Sequence, residues 1–92
     1  MKDLLQLRQE IDEIDKQWVR LLAHRFEVGR QVGELKKSKN LPPVDLSREE
    51  AMFLRIEKLA KDAGLNPQLA QIILRSIIDE TVKNHKIVAA KS

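Results

Sequence analysis

Leu4 to Lys37 reads LLQLRQEIDEIDKQWVRLLAHRFEVGRQVGELKK, and the spacing of its apolar residues decides the fold. Every seventh residue from Leu4 gives Leu4, Ile11, Trp18, Arg25 and Val32, and the companion series is Leu7, Ile14, Leu21, Val28 and Leu35. This is a heptad seam on one continuous helix, apolar at every position except Arg25. Asp3, with Gln6 three residues on, predicts the helix start, and the pattern runs to about Lys37. Such a helix is about 52 Å long at about 1.5 Å per residue, whereas a compact monomer of 92 residues has a radius of gyration of about 12 Å. One chain does not cover that stripe. The expected assembly is therefore an intertwined homodimer in which a partner's long helix runs alongside.

Arg25 interrupts the seam. A guanidinium stays charged and is costly to desolvate without a partner, and no acidic residue shares its series, so Arg25 needs an anion to face. Lys36 follows eleven residues later and lies only about 20° away around the helix, which puts both cations on one face. Gly29 and Gly33 leave little side-chain bulk between them. These glycines either open a pocket or allow close helix packing, each at a cost of about 1 kcal/mol in helix propensity relative to alanine. Arg8 lies about 25 Å down the axis from Arg25 and about 100° around it. Within one chain it does not serve the same small ligand. In an antiparallel dimer, Arg8 of one subunit approaches the middle of the other subunit's helix.

Downstream, Asn40 and the Pro42-Pro43 pair break the pattern between Ser38 and Leu46. Ser47 with Glu50 predicts a capping box for a second helix that runs to about Asp62, carries Met52, Leu54, Ile56 and Leu59, and ends at Gly64. Asn66 as cap and Pro67 in the first turn open a third helix, with Leu69, Ile72, Ile73, Ile77 and Ile78 as apolar residues and a face continuing to Val88. Arg48 and Glu49 fall in the first turn of the second helix, where free backbone N–H groups favour anions, with Asp45 just ahead. On the third helix Ile77, Thr81 and His85 form a stripe at four-residue spacing that passes from apolar to polar.

The expected class is all-α, a three-helix protomer in one domain over residues 1–92. The chain is 42% hydrophobic and 34% charged, with only 3% aromatic residues, which fits a leucine-rich helical protein. No stretch approaches the roughly 20 apolar residues that span a bilayer, and no apolar signal segment opens the chain, so a cytoplasmic location is expected and no membrane role. With no cysteine, and with His24 and His85 in unrelated contexts, neither a metal nor a cofactor is expected. The net charge of +3 comes from basic residues scattered among nearly as many acids, and only Lys36, Lys37 and Lys39 cluster. So short a run is ordinary at a helix end, and no nucleic-acid partner is expected.

Taken in order, Leu7-Arg8, Ile11-Asp12, Ile14-Asp15, Leu21-Leu22-Ala23-His24-Arg25, Val32-Gly33-Glu34-Leu35-Lys36, Pro43-Val44-Asp45-Leu46-Ser47-Arg48-Glu49 and Ile77-Ile78-Asp79-Glu80-Thr81-Val82 resemble the all-helical chorismate mutases. The resemblance covers nearly the whole chain. It implies an interlocked dimer with two identical sites, and conversion of chorismate to prephenate by a [3,3] rearrangement. It further implies that Arg25 and a partner-chain Arg8 bind the substrate's two carboxylates with Arg48 assisting, and that Lys36 donates to the ether oxygen. Glu49 and Asp45 would hold the ring hydroxyl region, and Thr81 would stand near a carboxylate. His85 departs from the better-known members, which carry a glutamine that gives a second hydrogen bond to the ether oxygen. Such a reaction needs no nucleophile, proton shuttle or metal, only a held conformer and stabilised charge.

Two other readings compete. Isochorismate pyruvate lyase resembles this family in fold and cationic pocket, but an apolar residue takes the place matching Glu49. A noncatalytic helical dimer binding protein or nucleic acid through Lys36, Lys37 and Lys39 leaves Arg25 unexplained. No appended dehydratase, dehydrogenase or effector domain is evident in the sequence, so control by aromatic amino acids within this chain is not expected. An imidazole changes charge between about pH 5 and about pH 8, so turnover should depend on pH in that range more steeply than in His85→Gln, and identical pH profiles for the two proteins would refute this.

Overall fold

The computed structural model describes residues 1–91, and among these the chain forms three helices and no strand. Helix α1 spans Leu4–Ser38, α2 Leu46–Ala63 and α3 Pro67–Ala90. Asp3 caps α1 as expected: its carboxylate accepts from the Gln6 N–H at 2.8 Å, and the Gln6 side chain accepts from the Asp3 N–H at 3.0 Å. Asn40 and Gly64 take the left-handed backbone that turns the chain out of α1 and ends α2, at φ 56° and 73°. Asn66 caps α3 by accepting from the Gln68 N–H at 3.0 Å, with Pro67 in the first turn.

The start of α2 corrects the expected capping box. Asp45, not Ser47, is the cap, because its carboxylate accepts from the Arg48 N–H at 3.1 Å and also from the Ser47 hydroxyl at 2.9 Å. A carboxylate is the stronger acceptor near the positive end of the helix dipole, so the serine becomes its donor and the helix starts at Leu46. These bonds, the Arg48 N–H first and the Ser47 hydroxyl next, hold the Asp45 carboxyl below its ordinary range.

Helix α3 is the middle element and packs on both α1 and α2, whose backbones do not meet. Its inward residues are Ala70, Leu74, Ile78 and His85, with Ala60 facing them from α2. Of the apolar residues anticipated on α3, Ile77 is half-buried and Ile78 is buried, while Leu69, Ile72 and Ile73 remain exposed, as do Leu54 and Leu59 on α2. These helices are apolar beyond the face that one protomer buries.

Helix α1 meets α3 where Gly29 faces Thr81 and where Gly33 and Lys36 face His85, a face beside the heptad seam rather than the seam itself. Gly33 is the one buried residue of α1, and the His85 ring lies on it: a Cβ there would sit 2.6 Å from His85 Cδ2. At Gly29 a Cβ would meet only the Thr81 methyl, at 3.4 Å. Every residue from Met1 to Leu21 is exposed, and so are Val28, Val32 and Leu35. The molecule measures 57 × 25 × 14 Å with a radius of gyration of 16.7 Å. Its accessible surface is 7416 Å², roughly 1,900 Å² more than a compact monomer of this mass exposes. No helix is long and apolar enough to cross a membrane among the described residues.

The two helical glycines should respond oppositely to alanine. Gly29→Ala gains up to about 1 kcal/mol of helix propensity against an ordinary contact and should raise the thermal unfolding midpoint. Gly33→Ala forces the buried His85 ring off α1 and should lower it. Equal shifts in calorimetry would refute this difference.

Candidate active site

Where α1, α2 and α3 converge, a cavity of about 320 Å³ opens. Of the eight residues singled out from sequence, Arg25, Lys36, Asp45, Arg48, Glu49, Thr81 and His85 line it, and Arg8 does not. The helical arithmetic accounts for the α1 contribution: Arg25, Lys36 and Gly29 lie within about 40° of one another around the axis. Val28 and Val32, both exposed seam residues, also line the cavity. Its mouth therefore opens on the uncovered stripe of α1.

The charges in this cavity are unbalanced. Arg25, Lys36, Arg48 and Arg55 face it, and none has a carboxylate within ion-pair distance among the described residues. The two acids on its wall are engaged elsewhere. Asp45 caps α2, and Glu49 Oε1 accepts from Arg75 Nη1 at 3.0 Å, outside the cavity wall. Arg25 donates from Nη2 only to the soft Met52 Sδ at 3.8 Å. Burial first, then the charges of Arg55 and Arg48, pull its guanidinium below its ordinary value. It remains protonated at any accessible pH, so three converging arginines and a lysine form a standing positive potential that an anion would relieve.

Lys36 and His85 are joined. Lys36 Nζ donates to the Pro43 carbonyl at 3.2 Å and lies 3.5 Å from His85 Nδ1. His85 Nε2 lies 2.8 Å from the Gly29 carbonyl oxygen, which only accepts, so this nitrogen carries the hydrogen. A neutral His85 thus presents Nδ1 as an acceptor. Thr81 Oγ1 donates to the Ile77 carbonyl at 2.9 Å, so its hydroxyl hydrogen serves its own helix and its oxygen keeps a lone pair for a ligand.

Arg55 and Arg75 are the residues that sequence reasoning missed. Arg55 follows Arg48 by two turns, and with Met52 it continues one stripe of α2, a spacing that was readable. Arg75 carried no comparable signal, because its partners come from α2: Glu49, and the Phe53 ring, whose centroid is 4.5 Å from the guanidinium carbon. Its bond to Asp79 at 3.3 Å, one turn along α3, completes a clamp that sets the Glu49 carboxylate.

Comparison with known proteins bears on this arrangement. Residues 7–86 match the family model described as chorismate mutase type II. The bifunctional chorismate mutase/prephenate dehydratase of Aquifex aeolicus is 38% identical over 94% of this chain and 25% of its own length. The T-protein of Haemophilus influenzae is 36% identical over 91% of the chain and 22% of its own length. The chorismate mutase of Methanocaldococcus jannaschii is 30% identical over 86% of the chain and 80% of its own length. The chain thus spans about a quarter of the length of the first two relatives and most of the third. With the match running through both arms of the cationic cavity, from Arg25 and Lys36 to Thr81 and His85, this three-helix chain belongs to the chorismate mutase type II family.

Proposed function

We propose that this chain is a chorismate mutase domain that acts in the cytoplasm as an intertwined homodimer, converting chorismate to prephenate. The observation that carries the reading is the cavity of about 320 Å³ with four cations that have no carboxylate partner among the described residues, suited to a small dicarboxylate. Relatives named chorismate mutase support it. Glu49 beside Arg48 favours the mutase over an isochorismate pyruvate lyase, because it offers a carboxylate to a ring hydroxyl.

In this reading Arg25 and Arg48, with Arg8 of the partner subunit, hold the two carboxylates so that the enolpyruvyl arm folds over the ring. Binding then selects a conformer that is rare in solution. The ether C–O bond breaks as the new C–C bond forms within one molecule, with no proton exchanged. Negative charge grows on the ether oxygen, and Lys36 meets it. Glu49, set by Arg75, and Asp45 receive the ring hydroxyl, and Thr81 offers its oxygen near a carboxylate.

Two facts about α1 support the dimer. Its nine apolar seam residues, from Leu4 to Leu35, are exposed, and Val28 and Val32 belong both to that seam and to the cavity wall. A helix that covers the seam therefore also closes the cavity. An antiparallel partner helix would bring Arg8 to the mouth.

The deciding experiment follows chorismate loss spectrophotometrically, with prephenate identified as phenylpyruvate after acid treatment. Native protein should turn over and Arg25→Ala should not; turnover of isochorismate alone would replace the reading with the lyase. Lys36→Ala should lower kcat about a hundredfold or more, the usual loss when a preorganised donor to a developing oxyanion is removed. Arg8→Ala and Arg25→Ala, each inactive, should regain about a quarter of native activity when equal amounts are unfolded and refolded together, because half the dimers are mixed and hold one intact site. No recovery despite mixed dimers would place Arg8 outside the partner's site.

A further inference from the structure

We propose that neutral His85 is a positioning residue that aims Lys36, and that it gives the substrate no hydrogen bond of its own; this rests on the chorismate mutase reading above. The ring is buried at 6% exposure, and its partners assign the tautomer. Nε2–H donates to the Gly29 carbonyl at 2.8 Å, and a neutral imidazole has one N–H, so Nδ1 is a bare acceptor. That acceptor faces Lys36 Nζ at 3.5 Å. Contact with the Gly33 backbone fixes the ring plane, since even a Cβ there would come within 3.1 Å of Nε2 and 3.3 Å of Cγ.

The consequence lies in the three hydrogens of the ammonium. One goes to the Pro43 carbonyl at 3.2 Å and a second is offered to His85 Nδ1, so the third is left for the cavity that Lys36 lines. Two tethers from different elements, the loop before α2 and helix α3, fix the direction of the one free donor. A single tether would let the long side chain swing about it. His85 thereby acts on the reacting oxygen through Lys36 rather than by touching it.

Protonation undoes this. A hydrogen on Nδ1 removes the acceptor and places a second cation beside the ammonium. The charged groups facing His85 are Lys36 and Arg25 on α1, Asp45 in the loop, and Arg48, Glu49 and Arg55 on α2; α3 adds no other charged group to the cavity wall. Cations outnumber carboxylates there, the nearest is Lys36, and both acids are already engaged. Acid should therefore release Lys36 from its second tether and lower kcat, whereas the carboxylate-binding arginines keep their charge and KM should not rise.

The test has an arm without substrate and an arm with it. In protein labelled with 15N-histidine, His85 should appear near neutral pH with hydrogen on Nε2 and none on Nδ1, with exposed His24 as internal reference; hydrogen on Nδ1 overturns the proposal. In the assay, native kcat should fall several-fold across the pH range in which the 15N spectra show the His85 ring taking up its second proton, with KM for chorismate not rising. His85→Asn, whose amide oxygen keeps an acceptor near the Nδ1 position, should lack that fall. A kcat that rises in acid, with the charged ring donating directly, or the same fall in His85→Asn, overturns the proposal. Absence of chorismate turnover at every pH would instead be the failure of the mutase reading, and the tautomer alone would then decide the hydrogen-bond assignment.

Discussion

The close seating of α3 on the glycine face of α1 is the constraint on which the rest depends. The α1 and α2 backbones do not approach each other, so the cavity between them exists only because α3 holds both. Gly33 admits the His85 ring onto the helix backbone, and the Gly29 carbonyl fastens it there. That contact orients the cavity face of α1, with Arg25 and Lys36 on it, toward α2. Glycine in mid-helix costs stability, and here the cost is offset by a polar ring packed against bare backbone.

A second clamp fixes the opposite wall. Arg75 on α3 ties Glu49 on α2 while lying over Phe53, so the two helices are joined by charge and stacking just outside the cavity. Asp45 is likewise held by the start of its own helix. Both carboxylates are thus preorganised, and neither neutralises the arginines. The positive excess persists because both acids on the cavity wall already have donors elsewhere.

The protomer is elongated for the same reason that the site is open. Helix α1 gives one stripe to α3 and leaves the heptad stripe uncovered, and Arg25 stands at the border of the two. At the level of sequence this residue is an unexplained charge in an apolar seam. In three dimensions it belongs to the cavity wall, which the seam residues Val28 and Val32 continue. The exposed area, well above that of a compact monomer, is what this uncovered stripe leaves on a single protomer.

The helices, their order and most of their ends were legible because heptad spacing, capping residues, glycine and proline act over a few residues of chain. Seven of the eight singled-out residues converge because helical periodicity fixes which side chains share a face, and the resemblance supplied the residues on other helices. The sequence did not reveal that Asp45 outcompetes Ser47 as cap, since both are good caps and only the geometry of the turn selects one. Nor did it reveal Arg75 as the holder of Glu49, or the tautomer of His85. Those depend on partners 26 and 56 residues away. Local periodicity determines which faces a helix offers. Only the packing of three helices decides which nitrogen of His85 is left bare and where the hydrogens of Lys36 point.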